Sequence, residues 1–546
     1  MELSQMQENG ISIFNISYSD VEYQKNLNVI DEKKVLKRIW DKDGSLWKLD
    51  DILANESLGW LNLPEQAKLV SEISTAFSSG AYNKYEIVCL VGMGGSVLAA
   101  KAIIDFVDCD NSKVFVIKDS TLSVSIDRIQ KMVKGRKTLF VIASKSGTTL
   151  ETIMIYEHLK KLVDSDSQNY SDGHLFIAIT DPDTSLNKIA YKEKFHQTFL
   201  GFVDVGGRYA ALSYFGLLPS ALMGCDTDSI VKAARNMKNQ LESSEASKQN
   251  LAAIIASILG ACAVNNIGKL TFITSQSLDA FGSWLEQLIA ESIGKENIGI
   301  IPVVKEPFLD ADSYLGGRTF IYFRYGRNNN ETNDIHVKKL IDAKLPVLWI
   351  EVDEFALIGA QFFLWEFVMA ILGALLKINP FDQPDVEKTK IGVNKILNNV
   401  GEELNLDYCS DLNVLQSNLS RIDHRSYVAL LAFISEDDEQ FKYLESLRKK
   451  IGDKYKLTTT LGIGPAYLHS TGQMYKGGLK PAYSIFFVDN GTSNLNQIKD
   501  YYKFNQITKA QVYSEIEVFK SLGVKSTCID IAEDSKFTMI DLLESI

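Results

Sequence analysis

The sequence predicts an α/β protein: two parallel-sheet domains in tandem, with a smaller α/β domain at the C-terminal end. Three observations predict it. Short runs rich in β-branched and aromatic residues alternate with helical stretches, the pattern of parallel sheets covered by helices. The alternation comes in three sets, and 546 residues exceed what one ordinary core holds. With 46% hydrophobic and 23% charged residues, the chain can bury several cores and is not disordered as a whole.

Residues 1–50 are polar and read as an irregular arm that packs on the body, with Trp40, Leu46, Trp47, Leu49 and Ile52 as apolar anchors. The first set of strands, 85–91, 113–117, 138–143 and 174–180, defines a domain over 51–235. A helical stretch near 228–266 leads into the second set, 269–274, 319–324 and 346–352, in a domain over 236–400. The third set, 426–433, 456–461, 483–488 and 526–531, follows a charged segment around 388–425 and forms a C-terminal α/β extension over 401–546. Proline is scarce, at 10 residues, so long rigid linkers are not expected. One stretch, Phe355 to Ile378, is long enough to span a bilayer. Gln361 and Glu366 interrupt its middle, where a carboxylate in lipid is costly, so it reads as a buried core helix.

Lys and Arg total 57 against 69 acids, a formal charge of −12, which repels nucleic acid and anionic membranes. An anionic ligand therefore needs a local site. The six cysteines (Cys89, Cys109, Cys225, Cys262, Cys409, Cys528) lie far apart without a CxxC pair or a disulfide framework. MELSQMQENGISIF carries no secretion-signal pattern, and a cytoplasmic location is expected.

Two turns carry chemistry. The run 85–91 ends in Gly92, Met93, Gly94, Gly95, Ser96, and a helical pattern opens at Val97. Such a turn lets backbone N–H groups approach an anion at a positive helix end. A dinucleotide fingerprint would need glycine where Val97 stands, and no Gly-Lys-Ser/Thr follows. Alone, this turn reads equally as a tight glycine turn with no ligand. The run 138–143 ends in the same architectural position, with Ser144, Lys145, Ser146, Gly147, Thr148 and Thr149. Four hydroxyls and a lysine at a helix start make a strong anion site, denser in donors than an N-cap requires.

Two such turns on neighbouring strands resemble the sugar isomerase (SIS) domain, and four ordered segments sharpen the resemblance to the phosphoglucose isomerase family. SKSGTTLET (144–152) resembles that family's phosphate loop, and VGGRYAALSYFGLLP (205–219) its glycine-glycine-arginine signature. EQLIAESIGKENIG (286–299) resembles its catalytic-glutamate signature, and FDQPDVEKTK (381–390) the segment with its glutamine and lysine. The match spans roughly 90 to 390. Further on, LGIGPAYLHSTGQMYKGG (461–478), with DKDGSLW (41–47), resembles the isomerase half of bacterial bifunctional transaldolase/phosphoglucose isomerase proteins, without a transaldolase portion.

The resemblance implies two tandem SIS domains with doubly wound parallel sheets. It also implies a metal-free, cofactor-free interconversion of D-glucose 6-phosphate and D-fructose 6-phosphate through a cis-enediol(ate), in glycolysis and gluconeogenesis. A dual phosphoglucose/phosphomannose isomerase and a non-catalytic sugar-phosphate-binding regulator are the alternatives. Glu291 matches the base that moves the proton between C2 and C1, and Arg208 the cation that stabilises the enediolate. Lys390 matches the ring-opening lysine. His336 stands about where the family places a ring-opening histidine, with no motif around it. Gly95, Ser96, Ser144, Lys145, Ser146, Thr149, Gly207, Gln287 and Gln383 match substrate and phosphate contacts. Ala210 departs from the family's serine or threonine. His469 and Lys476 lie in a segment whose histidine and glycines could form a ligand loop, with domain packing as the default reading. A homodimer is the implied assembly.

Overall fold

Among the described residues of the computed structural model of the protein, fourteen strands form three sheets. The structure describes residues 11–15, 21–47, 54, 56–78, 80–106, 112–165, 174–264, 268–315, 317–398, 406–409, 411–434, 439–489, 499–532 and 538–546. Along the chain the strands are β1 (Ile11–Phe14), β2 (Ile87–Val91), β3 (Val114–Lys118), β4 (Thr138–Ala143), β5 (His174–Thr180), β6 (Gln197–Leu200), β7 (Lys269–Thr274), β8 (Ile301–Val303), β9 (Thr319–Arg324), β10 (Val347–Glu351), β11 (Tyr427–Phe433), β12 (Thr458–Ile463), β13 (Tyr483–Val488) and β14 (Lys525–Asp530).

The first sheet runs β3-β2-β4-β5-β6 and is parallel throughout. Every residue of β2 and β4 is buried, which is why both read as unbroken apolar runs rather than alternating ones. After β2 the chain goes to β3 on one side and then to β4 on the other. The carboxyl ends of β2 and β4 therefore flank a topological switch point, the crevice where open α/β sheets take ligands. The two turns singled out from the sequence, 92–96 and 144–149, stand there.

The second sheet runs β1-β10-β9-β7-β8, parallel except for β1. Residues 1–50 were expected to be irregular; their described part instead supplies edge strand β1 and two helices, Val21–Glu32 and Val35–Trp40. Tyr23, Leu27 and Ile30 are buried on one side of the first helix, and Trp40 packs 4.7 Å from the Phe367 ring. Leu49, Ile52 and Cys109 lie outside the described residues. The third sheet, β12-β11-β13-β14, is parallel and has its own core, from Leu415 and Leu430 to Phe487 and Leu542. Its other face shares a cluster with Ala290, Ile301 and Val303 of the second sheet's layer.

The apolar stretch forms a helix, Leu357–Leu376, packed among the helices Thr227–Ser243, Leu251–Val264 and Asp279–Ile293. Among the described residues it is the one helix long and apolar enough to cross a membrane, and it is almost wholly buried inside the fold. Glu366 at its centre is fully buried with neither oxygen hydrogen-bonded, and burial holds its carboxyl far above the usual range.

Candidate active site

The β2 turn is built by glycine. Gly94 has φ +52°, and a Cβ there would stand 2.1 Å from the carbonyl oxygen of His469; one on Gly95 would stand 2.5 Å from that of Gly207. Three loops thus close on one another: β2's glycine turn, the Gly206–Arg208 turn and the His469 loop of the C-terminal domain. Ser96 is half-buried beside them.

The β4 turn begins with buried Ser144, whose Oγ is 3.0 Å from Thr149 Oγ1. Ser146 and Thr148 are exposed, with Thr148 donating to Ser146 Oγ from both its amide and its hydroxyl. Lys145 is ion-paired with Asp181 at the end of β5. Burial pushes the Asp181 carboxyl up against the opposing pull of Lys145, and its Oδ1 is buried without a hydrogen-bond partner. Gly147, at φ +65°, lets the turn pass Thr184, which a Cβ would meet at 2.5 Å. The helix Leu150–Ser165 follows, carrying Glu151, 3% exposed, in its first turn.

Arg208 and Glu291 form the buried centre, 4% and 5% exposed. Arg208 Nη1 donates to Glu291 Oε2 at 3.2 Å, Nε to Ser292 Oγ at 2.9 Å, and Nη2 to the carbonyls of Pro380 and Asp382 at 2.6 and 2.8 Å. The helix Asp279–Ile293 puts Gln287 one turn before Glu291, on the same face. Gln287 Nε2 donates to Glu291 Oε1 at 3.2 Å and to the His469 carbonyl at 3.0 Å. Burial raises the Glu291 carboxyl, with Arg208 and Gln287 acting against it. Buried Lys295 donates to the Asp382 carbonyl at 2.6 Å, so two cations hold the segment that leads to Gln383. Burial brings its ammonium down to about 7.

The structure therefore gathers Gly95, Ser96, Gly207, Arg208, Gln287 and Glu291. Ser144, Lys145, Ser146 and Thr149 stand on the adjoining strand end. Gln383 is exposed, and Lys390 is an exposed residue on the helix Val386–Asn398, ion-paired with Glu387 at 2.8 Å. His336 is not gathered. It is 8% exposed, stacked on Phe308 at 4.0 Å with Nε2 3.3 Å from Tyr314 Oη, and desolvation lowers it to about 4. Its surroundings are those of a core histidine, which corrects the expectation that placed it in the site.

The histidine at the site is His469, whose Nε2 lies 2.8 Å from Glu151 Oε1; Gln511 Nε2 donates to the same oxygen at 2.6 Å. Desolvation lowers the imidazole, but Glu151 more than restores it, and its net pKa is raised. Burial raises the Glu151 carboxyl, yet His469 and Gln511 bring it below its ordinary value. The reading of this loop as domain packing alone is corrected too. Its signal lay in HSTGQMYKGG, where only the packing of two distant segments reveals the contact. Glu151, Gln511, Asp181 and Lys295 were not singled out from the sequence; Glu151 and Lys295 lie within quoted motifs, Asp181 and Gln511 in none.

Residues 64–300 match the phosphoglucose isomerase family profile. A glucose-6-phosphate isomerase of Mesoplasma florum is 26% identical over 446 residues, covering 72% of this chain and 98% of the relative. That of Leptospira biflexa is 29% identical over 403 residues, 64% of this chain and 88% of the relative. Among solved structures, a glucose-6-phosphate isomerase from Chlamydia trachomatis aligns with TM-score 0.62 at 16% identity, over 75% of this chain and 91% of that one. A hypothetical protein from Thermus thermophilus aligns with TM-score 0.61 at 22% identity, over 71% and 99%. Parallel sheets with a glycine turn and a hydroxyl-rich turn at a switch point, closed over a buried Arg–Glu pair, define a protein of the sugar isomerase fold. Within that fold the profile match and the curated relatives show what the chain is similar to: glucose-6-phosphate isomerases of the phosphoglucose isomerase family.

Proposed function

We propose that the protein interconverts D-glucose 6-phosphate and D-fructose 6-phosphate as a cytoplasmic homodimer, in glycolysis and gluconeogenesis, with two catalytic domains over 51–235 and 236–400. The observation that carries this reading is the buried Arg208–Glu291 pair beside two anion turns. Glu291 removes the C2 proton of the open-chain aldose and returns it to C1. A carboxyl raised by burial suits a base that must also give the proton back. Arg208 cannot lose its own proton, and its fixed fork stabilises the charge that develops on the enediolate oxygens. Ser96, Ser144, Ser146 and Thr149 bind the phosphate, and Lys145 exchanges Asp181 for it. Gln287 holds Glu291 in place, Gln383 contacts the phosphate, and Lys390 is the ring-opening lysine, releasing Glu387 to serve.

The test is a coupled assay on EDTA-treated protein, fructose 6-phosphate in and glucose 6-phosphate detected by a dehydrogenase. Metal-independent turnover is expected, and its absence with sugar phosphate still bound would sink the reading. Glu291→Gln, close to isosteric, is expected to fold and bind while losing about 10²–10⁴-fold in kcat. Near-normal turnover in that variant would put the base elsewhere.

A further inference from the structure

The second sheet repeats the order of the first. Strands β8-β7-β9-β10 stand as β3-β2-β4-β5 do, because the chain goes from β7 to β8 on one side and then to β9 on the other. The carboxyl ends of β7 and β9 thus flank a second switch point, the place where such sheets take ligands. Here Ser275 Oγ donates to Asn330 Oδ1 and Ser277 Oγ to Asn328 Oδ1, both at 2.6 Å, and the two strand ends are stitched together. Beside the stitching lies a cavity of about 600 Å³, bounded by the ends of β7 and β8, the turn after β9 and the C-terminal domain's helix Glu439–Tyr455. That volume suits a small organic ligand. None of the candidate active-site residues lines it.

The lining decides the class of ligand. Gln276, Asn329 and Asn333 bring carboxamides, and Thr274 and Ser446 bring hydroxyls. Among the described residues, the side chains of Gln276, Lys305 and Glu445 have no hydrogen-bond partner, so uncommitted donors and acceptors both face the cavity. Of the other charged groups, Glu306 is paired with Arg318 and Lys449 with Asp453, which leaves Asp279 and Glu445 against Lys305 alone. A phosphate would meet surplus negative charge, unlike at the β4 turn with its four hydroxyls and a lysine. Among the described residues no three His, Cys, Asp or Glu side chains gather to hold a metal ion. Phe308 is half-buried in the wall with its ring backed by His336 at 4.0 Å, one firm apolar face in a polar cavity. Such a wall complements a molecule with many hydroxyls, an apolar C–H face and no net charge.

We propose that this cavity is a second ligand site and that it takes an unphosphorylated carbohydrate of one or two sugar rings. The inference goes beyond the isomerase reading and does not depend on it. Two of the groups that would meet sugar hydroxyls are already oriented. Asn333 Nδ2 donates to the Thr274 carbonyl at 2.8 Å, which leaves the Asn333 carboxamide oxygen to accept. The Thr274 hydroxyl donates to Asp279 Oδ1, which leaves Oδ2. Gln276 supplies a donor and an acceptor from an exposed position, and Phe308 packs on the sugar's C–H face. Glu445 and Ser446 close on the ligand from the C-terminal domain. Lys449 fixes that wall, since it donates to the Phe308 carbonyl at 3.0 Å. The bound sugar thus touches both the second sheet's layer and the C-terminal domain.

The experiment titrates D-glucose and maltose against the tag-free full-length protein by saturation-transfer NMR, with and without saturating fructose 6-phosphate. At least one of the two sugars is expected to bind with a Kd of about 10 mM or tighter. No saturable binding by either overturns the proposal, and so does displacement of the sugar by fructose 6-phosphate, which would put it in the first domain's site. Gln276→Ala removes one uncommitted carboxamide and should weaken the sugar about 2- to 10-fold. Ser446→Trp, at an exposed helix position, fills the mouth and should abolish binding. Unchanged affinity in either variant, with the urea midpoint of wild type, places the sugar elsewhere and defeats the assignment. A second equivalent of fructose 6-phosphate bound per chain and lost in Ser446→Trp would refute the uncharged class. Wild-type protein that neither binds nor turns over fructose 6-phosphate defeats the isomerase reading, while the sugar titrations of the wild type and the two variants still decide this inference.

Discussion

Lys145 is the side chain whose behaviour most directly separates binding from chemistry. It is held by Asp181, whose second oxygen is buried without a partner, so an arriving phosphate competes with a carboxylate already strained by burial. A hydrogen bond to a charged group contributes about 1.5–3 kcal/mol, so Lys145→Ala is expected to raise KM by roughly 10- to 100-fold with kcat little changed. An unchanged KM would dissociate this turn from phosphate. His336 yields a prediction of another kind. Its folded pKa, about 4, lies below the ordinary 6.5, so the neutral form is the stable one in the core. Stability is full above about pH 6.5 and is lost as pH falls toward 4. His336→Leu should flatten that acid limb in a series of thermal melts, and an unaltered limb would show that the imidazole does not titrate in the core. These two histidines also mark where sequence reading stops. Glu291 and Arg208 were legible because each sits in a dense motif whose neighbours fix its surroundings. His336 has no motif and His469 has one, but what each meets appears only in the folded chain: an aromatic ring for one, a buried carboxylate 318 residues away for the other.

At the scale of elements, the helix Val386–Asn398 sets the position of Lys390, and the C-terminal domain holds it. Thr389 on that helix meets Glu515 of the long helix Lys499–Ser521, and Lys476 donates to both Thr389 Oγ1 at 2.8 Å and Glu515 at 2.6 Å. Lys476 and Glu515 have no exposed side-chain surface. Removing one member of such a pair strands a charge, and Glu515→Ala is expected to cost about 3–5 kcal/mol in urea unfolding. The double variant Lys476→Met/Glu515→Leu leaves no charge stranded and should recover most of that loss. A double variant as unstable as the single one would mean that the pair adds net stability. The strands were read well where they are central and apolar: β4, β5, β7, β9 and β13 fall where expected. β1, β6 and β8 were not anticipated, because three or four residues at a sheet edge or beside a longer strand are too short for a periodic signal. The helix Leu357–Leu376 was legible by exclusion, since a central carboxylate argues against lipid but not against a protein core.

For the molecule as a whole, the question is whether the C-terminal domain is an appendage or part of one cooperative unit. The contacts across its boundary are buried and polar. Arg318, 2% exposed, pairs with Glu306 and reaches Thr458 Oγ1 on β12 at 2.8 Å. Arg448, also 2% exposed, donates to the carbonyls of Val304 and Lys305 at 3.2 and 2.8 Å. Lys456 Nζ lies 2.6 Å from Ser313 Oγ, and buried Lys269 donates to the His424 carbonyl. If the C-terminal domain unfolded alone, carbonyls and cations on both sides would lose their partners, each at a cost of about 1–3 kcal/mol or more. The two parts should therefore unfold together. The six tryptophans, Trp40, Trp47, Trp60, Trp284, Trp349 and Trp365, all precede residue 401, so their fluorescence reports on the body alone, whereas far-ultraviolet circular dichroism reports on both parts. The urea transitions followed by the two signals are expected to coincide. A circular dichroism step at lower urea, with tryptophan emission unmoved, would mean an independent domain. His469 would then enter the active site only on docking, and turnover would fail at the urea concentration of that first step.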